Sequence, residues 1–529
     1  MGMTKKKPYD AQTKTNKFYV TCAIPYVNAK PHIGHALEFV QGDAVARYHR
    51  LLGENTKLLS GGDENALKNV QAAEKVGVEI GKFIDENTQK FLDLTQHLNC
   101  QFDVWQKGSN QETHFPSSQK LWNLCEKNGD IYKKKYEGLY CVGCETFYAR
   151  DELNSNGECF EHPGRKLDLV SEENYFFKLS KYQNQLIELI ERDKLNIVPV
   201  ERKNEVVSFL KEPLQDISIS RSNERAKNWG VPVPGDSTQR MYVWFDALNI
   251  YQSGVGFGWD EKTYRKWWPA DVHVIGKGIT RFHAVYWPAF LLSAGLELPK
   301  ALFVHGYFTV NGQKMSKTLG NVIDPEDLIN KYSADALRYY LLAKFSPFTD
   351  GDFSEERLKE VYNGDLANGL GNLVARVTNL VAKGCNGKVP EVDKDPDLHP
   401  LRVDEKINNW KKSWKAIDDY IPNFRFDEAA KFIWAFISEA DTYINKNEPW
   451  YMIGKKQKEL NWILRGLLEG LHQTAWQIAL FMPGTAIEIA KKLNIENLLK
   501  KDPDYKDSWA VLTTGSEVKI GEPLFPRIK

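Results

Sequence analysis

The sequence predicts an α/β fold with a parallel sheet, interrupted by an insertion and followed by an α-helical bundle. Three observations lead there. Short β-rich runs that end in glycine alternate with helical periodicity through the first part of the chain. A stretch of different texture, rich in Lys, Glu, Tyr and Cys, separates two such regions. Beyond about residue 355 the strand signals fade into amphipathic helices. With 529 residues the chain has room for roughly three to four units of about 150 residues. The expected boundaries are 1–115 and 226–354 for the two halves of the sheet domain, 116–225 for the insertion and 355–529 for the bundle.

In chain order, Lys17–Thr21 is a β-rich run that stops before Pro25, and a helical pattern extends from about His35 to Leu51. Lys57–Ser60 runs into Gly61-Gly62. Val272–Gly276 repeats the form, as does Leu302–Val304 running into His305-Gly306. Strand, glycine, then helix marks a parallel sheet whose ligands sit at the strand ends. Within 116–225, Asn154-Ser-Asn-Gly157 predicts a turn. In the last part, Leu366, Leu370, Leu373, Val377, Leu380 and Val381 fall on one helical face. Ala429, Phe432, Ile433, Phe436 and Ile437 form a second such face, and Leu460, Ile463, Leu464, Leu467, Leu468 and Leu471 a third.

Composition excludes several classes. Lys+Arg and Asp+Glu are equal at 70 each, so no global basic field exists and a polyanion must be held by local contacts. Hydrophobic residues at 42% and charged residues at 26% exclude whole-chain disorder. The longest apolar stretch, Ala284–Leu296, is broken by Pro288 and Ser293 and is shorter than the roughly 20 residues a bilayer needs. Lys5-Lys6-Lys7 has no apolar segment behind it, unlike a signal peptide. Seven cysteines, an odd number in a chain this long, argue against a secreted disulfide framework. A soluble, cytoplasmic protein is expected, with no membrane partner. Cys22, Cys100, Cys125 and Cys385 are scattered and read as buried small hydrophobes.

Three motifs carry chemistry. His32-Ile-Gly-His35 lies between the first strand and its helix, where a helix N-terminus with unpaired N–H groups suits a polyphosphate. Lys314-Met-Ser-Lys317, about 280 residues later, follows a late strand and could fold two ammonium groups over the same triphosphate. Either motif alone is ordinary surface; the pair in this order is specific. Cys141-x2-Cys144-x14-Cys159-x2-His162 offers three thiolates and an imidazole, a closed tetrahedral set that suits a structural Zn²⁺.

The histidine and lysine motifs together resemble the signature of class I aminoacyl-tRNA synthetases. Cys22-Ala-Ile-Pro-Tyr-Val-Asn28, Tyr242-Val-Trp-Phe-Asp-Ala-Leu248, Gly306-Tyr-Phe-Thr-Val310, Asp350-Gly-Asp-Phe-Ser354 and Pro523-Leu-Phe-Pro526 narrow the resemblance to the methionine-specific members. It runs from about Lys17 to the last residue. It implies a Rossmann-like catalytic domain split by a zinc-binding connective insertion, then an anticodon-binding bundle. It implies a ligase that activates methionine with ATP and Mg²⁺ and transfers it to tRNA(Met). His32, His35, Lys314 and Lys317 would be catalytic, and with Gly34 and Gly276 would bind ATP. Ile24, Tyr26, Asp63, Trp244, Ala247, Leu248, Tyr251, Ile279 and His283 would hold methionine, Asp63 through the ammonium. Trp244, Ala247 and Tyr251 stand at i, i+3 and i+7, so one helical turn could aim all three the same way. In the bundle, Asn372 and Arg376 at i, i+4 and Trp450 after Glu448-Pro449 would read the anticodon by edge contacts and stacking. The chain leaves no room for the large editing domain that discrimination among Leu, Ile and Val demands. A monomer is expected, since no dimerisation-type domain is appended before Lys529.

Three positions depart from the family's usual form. Asn65-Ala66 stands where His-Gly usually follows the acidic pair, Gly278 where an aspartate near the ATP ribose is usual, and Thr318 where the lysine loop usually ends in serine. The first two keep open a second reading, a non-catalytic or weakened tRNA-binding relative. A third reading is another nucleotidyl-transferring enzyme built on the same sheet.

Overall fold

The computed structural model describes residues 17–141, 146–148, 152–161, 164–310, 312–315, 320–392, 409–495 and 511–529. Its centre is a six-stranded sheet, parallel throughout. In spatial order the strands are Val104–Lys107 (β3), Asn55–Gly62 (β2), Lys17–Cys22 (β1), Val272–Gly276, Ala301–His305 and Asn196–Val198. Strands buried on both faces need a near-continuous apolar run, and Val272–Gly276 and Ala301–His305 are buried at every position. Side chains alternate across β1: Phe18, Val20 and Cys22 enter one core and Tyr19 the other. The first core continues through the helix Ile33–Leu51 (α1) into the C-terminal bundle. The second is shared with the helices of 243–293 and with the insertion.

Sequence order reverses at β1, whose neighbours are β2 on one side and Val272–Gly276 on the other. That reversal opens a crevice at the carboxyl ends of the two central strands, the place where parallel sheets bind ligands. The helix after β1 begins on one lip, and the Lys277–Ile279 turn begins on the other.

The stretch 116–225 builds an antiparallel sheet from Ile131–Cys141, Thr146–Tyr148, Asp168–Phe177 and Ile217–Ser218. The predicted turn is present: Asn154 Oδ1 accepts the N–H groups of Asn156 and Glu158, and Gly157 takes φ +73°. The same stretch also supplies Asn196–Val198 to the edge of the central sheet. Each of the three apolar faces read from sequence in the last third lies on a helix, although Phe432, expected on the second face, is exposed. The first belongs to a continuous rod whose leading part, Tyr362–Gly371, is wound as a π-helix and continues as the α-helix Asn372–Gly384. The others are Phe426–Asn447 and Gln457–Ile478. The final segment folds back on the rod: Tyr362 Oη donates to the Pro526 carbonyl at 3.0 Å, and Asn363 exchanges two hydrogen bonds with the Ile528 backbone. Among the described residues no helix is long and apolar enough to cross a membrane.

Candidate active site

His32 is the N-cap of α1. Its Nδ1 accepts the Gly34 N–H at 3.1 Å, while its own N–H donates to His35 Nδ1 at 3.1 Å. This reciprocal cap fixes both tautomers: a ring nitrogen that accepts a backbone N–H is unprotonated, so each neutral imidazole carries its proton on Nε2. Burial, helped by the neighbouring His32, holds His35 well below the usual imidazole range and keeps it neutral. The rings lie 3.9 Å apart between centroids, and Phe91 packs edge-on against His35 at 5.0 Å. A Cβ at Gly34 would come within 2.9 Å of His32 Cε1, so the glycine makes room for the capping ring. The expectation of unpaired N–H groups at this helix start is corrected. The Ile33 N–H donates to the Ile323 carbonyl at 3.1 Å, that of Gly34 is taken by His32, and that of His35 donates to the His32 carbonyl. The backbone amides of the first turn of α1 are therefore already taken.

Ile323 and Asp324 close the chain segment that contains the lysine motif, and Lys30 pairs with Asp324 at 2.5 Å. The other flank is a hairpin in which Phe308–Val310 pairs with Gln313–Lys314. Asp352 braces its turn, accepting from Thr309 Oγ1 at 2.7 Å and from the Gly312 N–H at 2.9 Å. Both flanks of the lysine loop are therefore anchored, one of them on the start of α1. The Lys314 backbone belongs to the hairpin; its side chain, Lys317 and Thr318 lie outside the described residues.

The residues expected around methionine cluster at the same end of the sheet. Tyr26 forms a parallel bridge with Asp63, whose N–H donates to the Pro25 carbonyl at 2.9 Å. Tyr26 meets Trp244 edge-on at 6.3 Å. Trp244, Ala247 and Tyr251 occupy two short helices, Val243–Ala247 and Ile250–Ser253, joined at Leu248-Asn249. All three are buried, as is Leu248, while Ile24 and Ile279 border the same core. Phe282, which the sequence reading passed over, stacks flat on Trp244 at 3.6 Å. Its only signal was adjacency to His283.

His283 Nδ1 faces the Ile279 carbonyl at 2.9 Å and must donate to it, so Nε2 accepts from Tyr251 Oη at 2.7 Å. Burial pushes His283 down to about 4. A neutral imidazole in aromatic surroundings leaves no charge opposite an apolar ligand, which suits a thioether.

The departure at Asn65 has a structural account. Its Nδ2 donates to Asp246 Oδ2 and to the Gly108 carbonyl, both at 2.7 Å. Asp246 Oδ1 also holds His114 Nε2 at 2.5 Å and Ser118 Oγ at 3.2 Å. Asn65 thus ties the loop after β2 to the helix carrying Trp244. Ala66, fully buried, leads into the next helix.

Of the four expected zinc ligands, Cys141 and Cys159 are described; Cys144 and His162 lie outside the described residues. The two sulfurs are buried and 3.2 Å apart, too far for a disulfide, which needs about 2.05 Å. Two thiolates at about 2.3 Å from one tetrahedral zinc stand roughly 3.8 Å apart, so a slight opening of this pair would admit the ion. Among the described residues no cluster of three or more metal-ligating side chains occurs. In the bundle, Asn372 is exposed and Arg376 is bound by Asp441 and by Asn445 Oδ1, the latter at 2.7 Å, rather than merely solvated. Trp450 is 39% exposed on the turn Pro449–Tyr451, against which the helix Asn372–Gly384 packs.

Comparison with known proteins agrees with this geometry. The family profile described as tRNA synthetases class I (M) matches residues 18–378. Two proteins named methionine--tRNA ligase, from Thermotoga maritima and Brucella suis, are each 40% identical over 97% of this chain, covering 80% and 98% of their own lengths. The Mycobacterium tuberculosis methionyl-tRNA synthetase in complex with methionyl-adenylate superposes with a TM-score of 0.90 at 35% identity, over 97% of this chain and all of that one. The apo form of the same enzyme gives 0.82 at 32% identity, over 97% and 98% of the two chains. Signature motifs, crevice position, near-full-length identity and superposition all agree, and the chain belongs to the class I methionyl-tRNA synthetases.

Proposed function

We propose that this chain is a ligase that activates L-methionine with ATP and transfers it to the 3′ end of tRNA(Met). One observation carries the reading: the capped histidine pair, the Lys277–Ile279 turn and the anchored flanks of the lysine loop meet at the sheet's crevice. The methionine carboxylate attacks the α-phosphorus in line, one P–O bond forms, and the bond to the departing pyrophosphate breaks. His32 and His35 donate from Nε2 to phosphate oxygens as charge migrates. Lys314 and Lys317 neutralise the pyrophosphate, and Gly34 and Gly276, whose missing side chains make room for the His32 and Tyr307 rings, border the nucleotide. When bound with the nucleotide, magnesium supplies further positive charge on the phosphate oxygens. Asp63 holds the substrate ammonium, while Tyr26, Trp244, Tyr251 and His283 surround the thioether. No covalent enzyme intermediate is needed, because positioning and preorganised donors lower the barrier. The terminal ribose hydroxyl of tRNA then attacks the adenylate carbonyl and AMP leaves.

Asn372, Arg376 and Trp450 read the anticodon at the far end of the bundle. Cys141, Cys144, Cys159 and His162 would hold a structural zinc, which would cross-link the small insertion near the acceptor end. The central experiment is ATP–pyrophosphate exchange with each standard amino acid in turn. Exchange with methionine alone is expected. No exchange with any amino acid, together with retained tRNA binding, sinks the enzyme reading in favour of a non-catalytic relative.

A further inference from the structure

Gly278 stands at the lip of the crevice, and its N–H donates to Tyr307 Oη at 2.7 Å. A Cβ built on Gly278 would lie 2.2 Å from that oxygen, so the phenol or the turn would have to shift, but 3.3 Å from Cζ and 3.6 Å from Cε2. A Cβ at Gly276 would lie 2.8 Å from Tyr307 Cε1. The phenol therefore lies across the whole Gly276–Gly278 turn, in space that side chains at these positions would otherwise fill.

Tyr307 is itself firmly placed. Its N–H donates to Asp350 Oδ1 at 2.9 Å, and Asp350 Oδ2 pairs with Lys277 Nζ at 2.6 Å. Lys277 thus closes a ring of contacts from the turn, through the carboxylate, back to the tyrosine backbone. Burial raises the phenol to about 12, so its oxygen stays a neutral acceptor at working pH. The next residue, Phe308, begins the hairpin that carries Lys314. On the other side of the bond, Ile279 follows Gly278, and its carbonyl fixes the tautomer of His283.

We infer that Tyr307 is a positioning residue for methionine activation: its hydroxyl locks the Lys277–Ile279 turn and so joins the base of the lysine hairpin to the methionine pocket. This rests on the synthetase reading above and extends it. The hydrogen bond sets where Ile279 and His283 stand, whereas the nucleotide-facing histidines are held independently by their own cap. Removing the hydroxyl should therefore act mainly on methionine.

The test is a double-mutant cycle on the full chain, read by methionine-dependent ATP–pyrophosphate exchange, with thermal unfolding measured on every variant. Tyr307→Phe should raise the methionine KM about fivefold and leave the ATP KM within about twofold, the scale of one ordinary hydrogen bond. Gly278→Ala should lower kcat/KM for methionine at least about tenfold, because the new methyl displaces the phenol oxygen and with it the turn. In the double variant the oxygen is gone and the methyl meets Cζ at 3.3 Å and Cε2 at 3.6 Å, which the ring relieves by giving a few tenths of an ångström, so activity should return to within about twofold of Tyr307→Phe alone. A silent Gly278→Ala, or a double variant as impaired as Gly278→Ala, overturns the inference. Equal changes in both KM values for Tyr307→Phe overturn it as well. Wild-type exchange is measured first: its absence defeats the synthetase reading, whereas normal exchange without suppression defeats only the role of Tyr307.

Discussion

An imidazole that spends one nitrogen on a backbone N–H has a single donor left, and its direction is then set by the helix. This is the situation of His32 and His35, and Gly34 makes it possible. Gly34→Ala is expected to displace the His32 ring and lower methionine-dependent exchange at least about tenfold, equivalent to roughly 1.4 kcal/mol of transition-state stabilisation. Steady-state exchange within twofold of wild type would contradict it. His283 gives a pH prediction. Its folded-state value of about 4 lies below the ordinary imidazole value of about 6.5, so the unfolded chain binds more protons between those limits. Stability should be intact above about pH 6.5 and should fall by about 3 kcal/mol as pH drops to 4. His283→Gln, which cannot titrate, should flatten that part of a denaturant-midpoint-versus-pH curve; an unchanged slope would exclude His283 as its source. At this scale the sequence was legible where a residue type has one use, as in the paired histidines. It was opaque where a side chain acts through a distant partner. Nothing local to Asn65 announces Asp246, and nothing beside Gly278 announces Tyr307.

Elements buried on both sides were the most legible, because an apolar run ending in glycine has few alternatives. The central strands appeared within a residue or two of their true limits for this reason. The edge strands Val104–Lys107 and Asn196–Val198 were missed, being short and only half buried, so that neither periodicity nor hydropathy marks them. The π-helical winding of Tyr362–Gly371 was also invisible, since its apolar residues fit an ordinary helical face equally well. The rod that follows carries a prediction of its own. Arg376 is held by Asp441 and Asn445 from Phe426–Asn447, the helix that leads into the turn bearing exposed Trp450 and Tyr451, so its guanidinium is preorganised. Arg376→Ala should weaken aminoacylation of tRNA(Met) at least about tenfold, as loss of a base-edge contact implies. It should leave exchange, which needs no tRNA, within about twofold. Equal losses in the two assays would place Arg376 in the architecture rather than at the anticodon.

Across the whole molecule, the two ends of the proposed reaction are joined through α1. Its N-terminus carries the histidine pair, and three turns further on Asp43 meets Arg338, both fully buried, at 2.7 Å. Arg338 also donates to the carbonyls of Leu98 at 3.1 Å, Leu480 at 3.3 Å and Phe481 at 2.8 Å. One guanidinium therefore ties α1, the loop before β3 and the end of the long bundle helix. Around it runs a continuous apolar core, in which Phe303 of the sheet stacks flat on Phe424 of the bundle at 4.3 Å. The core explains why sheet and bundle adhere, but apolar contact is tolerant of small slips; the arginine's fixed fork is not. Arg338→Ala would deprive three carbonyls and part of the Asp43 carboxylate of this donor in a buried interior. Loss of one partner of a buried pair costs about 3–5 kcal/mol. Because Arg47 remains on Asp43 at 2.6 Å, the lower end of that range, about 3 kcal/mol, is expected in the denaturant midpoint. Arg338→Lys should recover little, since one ammonium cannot reach acceptors on all three segments. A loss below about 0.5 kcal/mol, the usual scale of a surface substitution, would show that the apolar core alone holds the bundle in register.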